Sequence, residues 1–317
     1  MSVRGRRIPT TKVPGWMEPM LATLVESLPD NRGWLFERKL DGYRAIAYRD
    51  GASLRLYSRN KLPLDDEFPT IVEALKKLSA RRFVIDGEIV AVVGGDAAGF
   101  GELQRRTART PVRYYVFDVL LLGDDDVRPL PLIERKRLLR SIRLAGPLKR
   151  TGTRTGDAEQ LRAEACAAGW EGLIAKRADS PYRGSRSRDW LKLKCTNEQE
   201  LVIAGYTDPK GSRAGFGALM LGYYEDGRLH YAGEVGTGFD TRALLDLAAK
   251  LKPTTIDRSP FSDYPRIKKG QHFVKPKLVA QIAFTEWTHD GKLRHPRFLG
   301  IRKDKRPTEV VREKPAR

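Results

Sequence analysis

The chain has 317 residues, with 59 Lys and Arg against 40 Asp and Glu and a formal charge of +19. That length suits about two domains of roughly 150 residues, and the basic excess favours a polyanionic partner, since each neutralised phosphate releases counterions. No run approaches the ~18–20 apolar residues of a membrane span, and the basic arm over residues 1–16 lacks the apolar stretch of a secretory signal, so the expected location is cytoplasmic, with no membrane partner. Cys166 and Cys195 lie in no CxxC pattern and make no disulfide framework. Cys166, among Ala165, Ala167 and Ala168, reads as a buried structural thiol, and His230, His272, His289 and His295 have no zinc-ligand spacing.

From Trp34 to Lys194 short strands alternate with helices. WLFERKL and YRAIAYR read as strands, and Asp50-Gly51 turns the chain into SLRLYS. DDEFPTIVEALKKL places Phe68, Ile71, Val72, Leu75 and Leu78 on one helical face. RRFVIDGEIVAVV and RYYVFDVLLL are strands, and IERKRLLRSI is a basic amphipathic helix. DAEQLRAEACAAG is a helix with Asp157 as N-cap and Gly169 as its stop, followed by the strands EGLIAKR and WLKLK. Beyond the polar CTNEQE the chain is strand-rich with one helix, DTRALLDLAAKL, a pattern that suits a small Greek-key barrel of the OB type. The reading is therefore an α+β chain: antiparallel sheets with flanking helices over residues 1–197, then a β-barrel over 198–317.

The element with chemical content is Lys39-Leu40-Asp41-Gly42-Tyr43-Arg44, a KxDGxR pattern between two strands. A lysine amine attacks phosphorus only when neutral, and crowding by cations lowers its pKa. Asp-Gly turns the backbone tightly, and Arg44 is a candidate for holding a phosphate or sugar. Taken alone, the pattern is equally well a surface turn. Its company, in order, is Ser58-Arg59-Asn60, Asp86-Gly87-Glu88, Tyr115-Val116-Phe117-Asp118, Glu171-Gly172-Leu173-Ile174-Ala175-Lys176 and Trp190-Leu191-Lys192-Leu193-Lys194. A glycine inside the second of these suits a close backbone approach. The strand period of two puts Lys192 and Lys194 on one face, as a phosphate clamp. Phe117 reads equally as core and Asp118 as a brace, and Glu171 and Lys176 fall on opposite sides of an ideal strand.

This ordered set resembles the covalent nucleotidyltransferases: DNA ligases, RNA ligases and mRNA capping enzymes. Leu293 to Lys305 looks like the closing motif of ATP-dependent DNA ligases, and PMLAT, GYTDPKGSRAGFGALMLGYY, YAGEVGTGF and FTEWTHDGKLRHPRF resemble the ligase domain of bacterial ligase D. The resemblance covers residues 17–312 and implies a nucleotidyltransferase (adenylation) domain followed by an OB-fold domain. It implies that Lys39 is the nucleophile that becomes lysyl-AMP and that Glu37 contacts the adenine edge. Arg44 and Arg59 are implied on the sugar-phosphate or the nick 5′-phosphate, Glu88 on the ribose and Phe117 against the adenine. Glu171 is the implied metal carboxylate, with Asp41 and Glu88 as further candidates, and Lys176, Lys192 and Lys194 are implied on the nucleotide. Arg294, Arg302 and Lys305 are implied to close over the pyrophosphate.

The cofactors so implied are ATP and a divalent metal, Mg²⁺ or Mn²⁺. The implied partners are nicked or broken duplex DNA, bacterial Ku and an end-joining polymerase, on the nucleoid when DNA is bound, with the chain itself a monomer. A hinge is expected near residues 195–200, and the barrel, with Lys275 and Lys277, is expected on the DNA backbone. The rivals are a capping or RNA-ligase nucleotidyltransferase and, from a different class, a non-enzymatic OB-fold DNA-binding protein, which leaves the ordered motifs unexplained.

Overall fold

The computed structural model describes residues 8–9, 13–28, 30–107, 110–264 and 267–316. The basic arm read from the sequence therefore lies largely outside the described residues. The chain packs as two units, one ending at Cys195 and rejoined by residues 315–316, the other Thr196–Lys314.

The first unit carries β1 (Leu21–Leu24), β2 (Trp34–Arg38), β3 (Tyr43–Asp50), β4 (Ser53–Ser58), α1 (Pro69–Lys76), β5 (Arg82–Val93), α2 (Phe100–Arg105) and β6 (Val112–Leu122). It continues through α3 (Leu132–Ser141), β7 (Leu148–Arg150), α4 (Ala158–Ala167), β8 (Gly172–Arg177) and β9 (Arg186–Lys194). One sheet runs β4-β3-β5-β6 with antiparallel neighbours, and β7 joins β6 in parallel. A second sheet runs β1-β9-β8-β2.

Strand alternation sorts the side chains into layers. Ala45, Ala47, Phe83 and Ile85 join the apolar face of α1 on one side of the first sheet. Ile46, Tyr48, Val84 and Phe117 turn the other way and meet Trp190 of the second sheet. The far side of the second sheet packs Phe36, Leu173, Ala175, Leu191 and Leu193 on Leu161 and Ala165 of α4. The same alternation leaves Arg44, Asp86 and Glu88 of one sheet, and Glu37, Lys176, Lys192 and Lys194 of the other, for the cleft between them. Asp157 caps α4 by accepting from the Gln160 N–H at 2.9 Å, and Gly169 ends it at φ +70°. Helix α2, which the sequence pattern did not suggest, begins where Asp41 accepts the Phe100 N–H at 2.7 Å.

The cysteines depart from expectation. Cys166 is exposed and forms a disulfide with Cys195, their Cα atoms 5.3 Å apart. Helix α4 packs on β8, β8 pairs with β9, and Cys195 follows β9 directly, so the fold joins two residues that are far apart in sequence. Alanine neighbours suggested burial, but the buried stripe of α4 is Ala158, Leu161 and Ala165, and Cys166 lies off it.

In the second unit, β10 (Asn197–Thr207), β11 (Leu219–Glu225), β12 (Arg228–Val235), α5 (Thr241–Leu251), β13 (Gln271–Phe284) and β14 (Arg297–Arg302) follow in order. The sheet runs β12-β11-β10-β13, with β14 also on β13, around a core that includes Ile203, Phe216, Leu221, Leu247 and Ile282. Asp240 caps α5 through the Ala243 N–H at 2.7 Å. Among the described residues no helix is long and apolar enough to cross a membrane.

Candidate active site

Lys39 leaves the end of β2 with its N–H bonded to the Gly172 carbonyl at 2.9 Å, so its backbone is fixed by the start of β8. Gly42 lets this turn press onto β5: a Cβ there would sit 2.1 Å from the Ile89 carbonyl oxygen. The Gly42 N–H reaches Glu88 Oε1 at 3.2 Å. The Lys39 amine forms a close ion pair with Glu171.

The electrostatics reverse one expectation. The sequence suggested that cations crowd Lys39 and lower its pKa. Burial does oppose its charge, but Glu171, then Asp41 and Glu88, outweigh burial and hold the amine protonated, above the ordinary lysine range. Glu171 and Lys176 were also expected on opposite sides of a strand. Glu171 instead precedes β8 across Gly172, whose φ of +146° breaks the alternation, so Glu171 meets Lys39 while Lys176 meets Glu37 two residues away.

Glu37 is 3% exposed and carries three partners. Lys176 Nζ lies at 3.0 Å from Oε2, the Thr151 hydroxyl donates to the same oxygen at 3.0 Å, and Lys136 of α3 pairs with Oε1. Burial alone would raise the carboxyl, but Lys136 and then Lys176 hold it below the usual carboxylate range. Burial drives the Lys176 ammonium down to about 8; Glu37 opposes this and Lys136 adds to it. A cavity of about 200 Å³ adjoins this cluster, its wall including Glu37, Tyr115, Thr151 and Trp170.

Arg44 is held by Asp86, Nε to Oδ1 at 2.5 Å and Nη2 to Oδ2 at 2.6 Å, and Asp86 also accepts from the Tyr182 hydroxyl at 2.7 Å. Its guanidinium lies 4.6 Å from the centroid of Phe117. Phe117 is 8% exposed within the inter-sheet core, with Lys176 Nζ 4.1 Å from its centroid, so its ring is packed by protein. Asp118 is a brace, buried and bidentate to Arg135 of α3 at 2.9 and 3.0 Å. Arg59 sits in the turn after β4, while Lys192 and Lys194 line β9 opposite Ile174 and Gly172. In the second unit Arg302 is paired with Asp304 at 2.8 Å, Lys305 with Glu200 at 2.9 Å and Arg294 with Glu286 at 2.6 Å.

Sequence reasoning missed Asp86, Lys136, Thr151 and Tyr182 as site-shaping groups. Asp86 stood inside the Asp86-Gly87-Glu88 motif, whereas Lys136 was hidden among the charged residues of a basic amphipathic helix.

Glu171, Asp41 and Glu88 offer hard oxygen donors around Lys39. No group of three or more His, Cys, Asp or Glu that could hold a metal assembles among the described residues. Such a donor set fits a divalent cation that rests on one or two carboxylates and completes its shell with water and phosphate oxygens.

A half-buried, carboxylate-paired lysine between two largely antiparallel sheets, with further lysines along β9, is the arrangement of a covalent nucleotidyltransferase. The family model described as the ATP dependent DNA ligase domain matches residues 19–194, and that of the ATP dependent DNA ligase C terminal region matches 212–305. The chain belongs to the ATP-dependent DNA ligase family, with a nucleotidyltransferase domain followed by an OB-fold domain. It is 37% identical over 324 residues to the multifunctional non-homologous end joining protein LigD of Pseudomonas aeruginosa, a match covering 99% of this chain and 38% of that protein. It is 39% identical over 304 residues to the multifunctional non-homologous end joining DNA repair protein LigD of Mycobacterium tuberculosis, covering 94% of this chain and 40% of that one. The chain thus spans about two fifths of the length of these curated relatives. A solved structure of mycobacterial DNA ligase D complexed with ATP and MES is similar at a TM-score of 0.69 and 36% identity, covering 94% of this chain and 98% of that one.

Proposed function

We propose that the chain is an ATP-dependent DNA ligase that takes AMP onto Lys39, passes it to the 5′-phosphate of a nick or break in duplex DNA, and joins the ends when the 3′-OH displaces AMP. What carries the reading is the Lys39–Glu171 pair at the mouth of the inter-sheet cleft, in a chain of this family. The roles of the surrounding groups belong to the proposal. The Lys39 amine attacks the α-phosphorus in line with the bond to the bridging oxygen, so that the N–P bond forms as that P–O bond breaks and pyrophosphate leaves, while the Gly172 carbonyl and the Gly42 turn hold the Lys39 backbone. Lys192 and Lys194 neutralise charge on the non-bridging oxygens, the main catalytic work in phosphoryl transfer. Glu37 accepts from the base, Glu88 holds the ribose and Phe117 backs the base through the Lys176 ammonium. Arg44 and Arg59 serve the sugar-phosphate or the nick phosphate, and Arg44 is oriented by Asp86. Arg294, Arg302 and Lys305 serve the pyrophosphate.

Glu171, with Asp41 or Glu88, is the proposed seat of Mg²⁺ or Mn²⁺, which when bound supplies positive charge to the phosphate. Lys39 must lose its proton before attack, and a neutralised Glu171 no longer holds the ammonium. The proposed setting is DNA end joining in the cytoplasm, on the nucleoid, with bacterial Ku and an end-joining polymerase as partners.

The test is label transfer. ATP, GTP and NAD labelled on the adenylate or α-phosphate are incubated with the chain and resolved on a denaturing gel. Label from ATP that disappears in Lys39→Ala, with sealing of a nicked duplex, is the expected result. Label from GTP alone points to a capping-type enzyme, and no label from any nucleotide overturns the enzyme reading.

A further inference from the structure

We infer that Lys136 is a positioning residue for nucleotide selection: from α3 it sets the hydrogen-bond direction of the Thr151–Glu37 wall, so that the wall offers only acceptors to the base. The inference rests on the ligase reading above. Lys136 touches no part of the Lys39 cluster. Its ammonium pairs with Glu37 Oε1 and lies 3.5 Å from Thr151 Oγ1, and the Thr151 hydroxyl lies 3.0 Å from Glu37 Oε2. An ammonium only donates. With Lys136 donating to Oγ1, the Thr151 hydroxyl proton is directed to Glu37, whose Oε2 also takes Lys176 and whose Oε1 takes Lys136, so the lone pair left on Oγ1 is an acceptor and Thr151 has no proton to donate. Glu37 and Thr151 line the 200 Å³ cavity, whereas Lys136 does not. An acceptor-only wall suits the 6-amino donor of adenine and opposes the 6-oxo acceptor of hypoxanthine or guanine. Without Lys136 the hydroxyl is free to rotate and donate to a 6-oxo group.

The charge arithmetic explains why this residue can be tested. Lys136, Lys176 and Glu37 together carry one net positive charge in a buried setting. Replacing Lys136 by Met keeps the chain length and leaves a neutral Glu37–Lys176 pair, so no buried ion is orphaned. Label transfer to Lys39 is measured with ATP, ITP and GTP over a concentration series, for the wild type, Lys136→Met and Lys136→Arg. The expected result for Lys136→Met is a fall in the ATP-to-ITP ratio of kcat/KM of about tenfold or more, the range of one charge-assisted hydrogen bond. Most of that change should lie in KM, and Lys136→Arg should restore the ratio. If Lys136→Met does not fold, Lys136→Gln carries the same comparison, judged by the thermal transition. An unchanged ratio in a folded variant, or an equal loss of kcat with all three nucleotides, overturns the inference while the ligase reading stands. A wild type that takes no label overturns both.

Discussion

Breaking the Cys166–Cys195 disulfide should lower the stability of the first unit by a calculable amount. The two residues are 29 apart in sequence, and closing a loop of that length removes denatured-state entropy worth about 3.6 kcal/mol at 25 °C. For a unit of this size each kcal/mol moves the midpoint by roughly 2–4 °C, so reduction should cost roughly 7–14 °C. The loop is not a neutral one. It carries Glu171, Lys176, Lys192 and Lys194, and the Cys195 N–H is bonded to the Glu171 carbonyl at 2.9 Å. The disulfide therefore ties α4 to the end of β9, the strand from which Lys192 and Lys194 face the cleft. Calorimetry of the oxidised chain, the chain in excess dithiothreitol and Cys195→Ser should show one shared loss for the two thiol forms. Thiol alkylation followed by intact mass reports whether the bond is present at the start. A fully oxidised sample whose midpoint does not move on reduction would refute the entropic reasoning, and two alkylatable thiols in a sample purified without reductant would refute the pairing.

Other consequences are as direct. Glu37→Gln leaves Lys136 and Lys176 buried without their anion and should cost about 3–5 kcal/mol, read as a shift of the denaturant midpoint; a shift under 1 kcal/mol argues against the triad. Lys176 has a folded pKa lowered to about 8 by burial, with Lys136 adding to the shift and Glu37 and Asp118 opposing it. Its unfolded form binds more protons between about pH 8 and the ordinary lysine range, so that contribution to stability rises with pH across the window and is lost as pH falls through 8. Lys176→Met should flatten that part of the curve, and an unaltered slope excludes Lys176 as its source. Gly42→Ala drives a Cβ to 2.1 Å from the Ile89 carbonyl oxygen and displaces the Lys39 turn. Label transfer should drop about a hundredfold or more, and a variant adenylated at the normal rate refutes the close-approach argument.

The elements were legible because period-two strands and capped helices are local facts. TIVEALKKL, AEQLRAEAC and the strands around Lys39 fold as their patterning reads. The site was legible as an ordered set of residue types, but its wiring was not. IERKRLLRSI reads as a basic amphipathic helix, yet its charged Arg135 and Lys136 are buried, one against Asp118 and the next against Glu37. Hydrophobic patterning assigns any charged residue to the outside, and a cation whose anion comes from a distant strand is invisible to it. The disulfide was missed for a related reason, since pairing depends on the β8–β9 ladder and not on the spacing of the cysteines. Glu171 escaped the alternation rule because one positive-φ glycine re-aimed it.

Those misses bear on the nucleophile itself. A lysine read from the sequence as surrounded by cations suggested an amine already poised to lose its proton. The fold supplies Glu171, Asp41 and Glu88 instead, and these hold it as an ammonium. On the proposed reading, reactivity then depends on what neutralises Glu171. ATP alone brings more negative charge and strengthens the hold on the proton, whereas cation and nucleotide together leave the carboxylate engaged elsewhere. Removing Glu171 should thus have two opposed effects: Glu171→Gln frees the amine and takes away the cation's seat. If the first effect governed, the variant would label at neutral pH with less metal than the wild type needs. If the second governs, as the direct pairing of Glu171 with the Lys39 amine argues, labelling should be lost at every metal concentration, while the unliganded Lys39 amine becomes easier to deprotonate and reacts at lower pH with an amine-directed reagent. Loss of labelling with no change in that reactivity would break the link between Glu171 and the Lys39 proton.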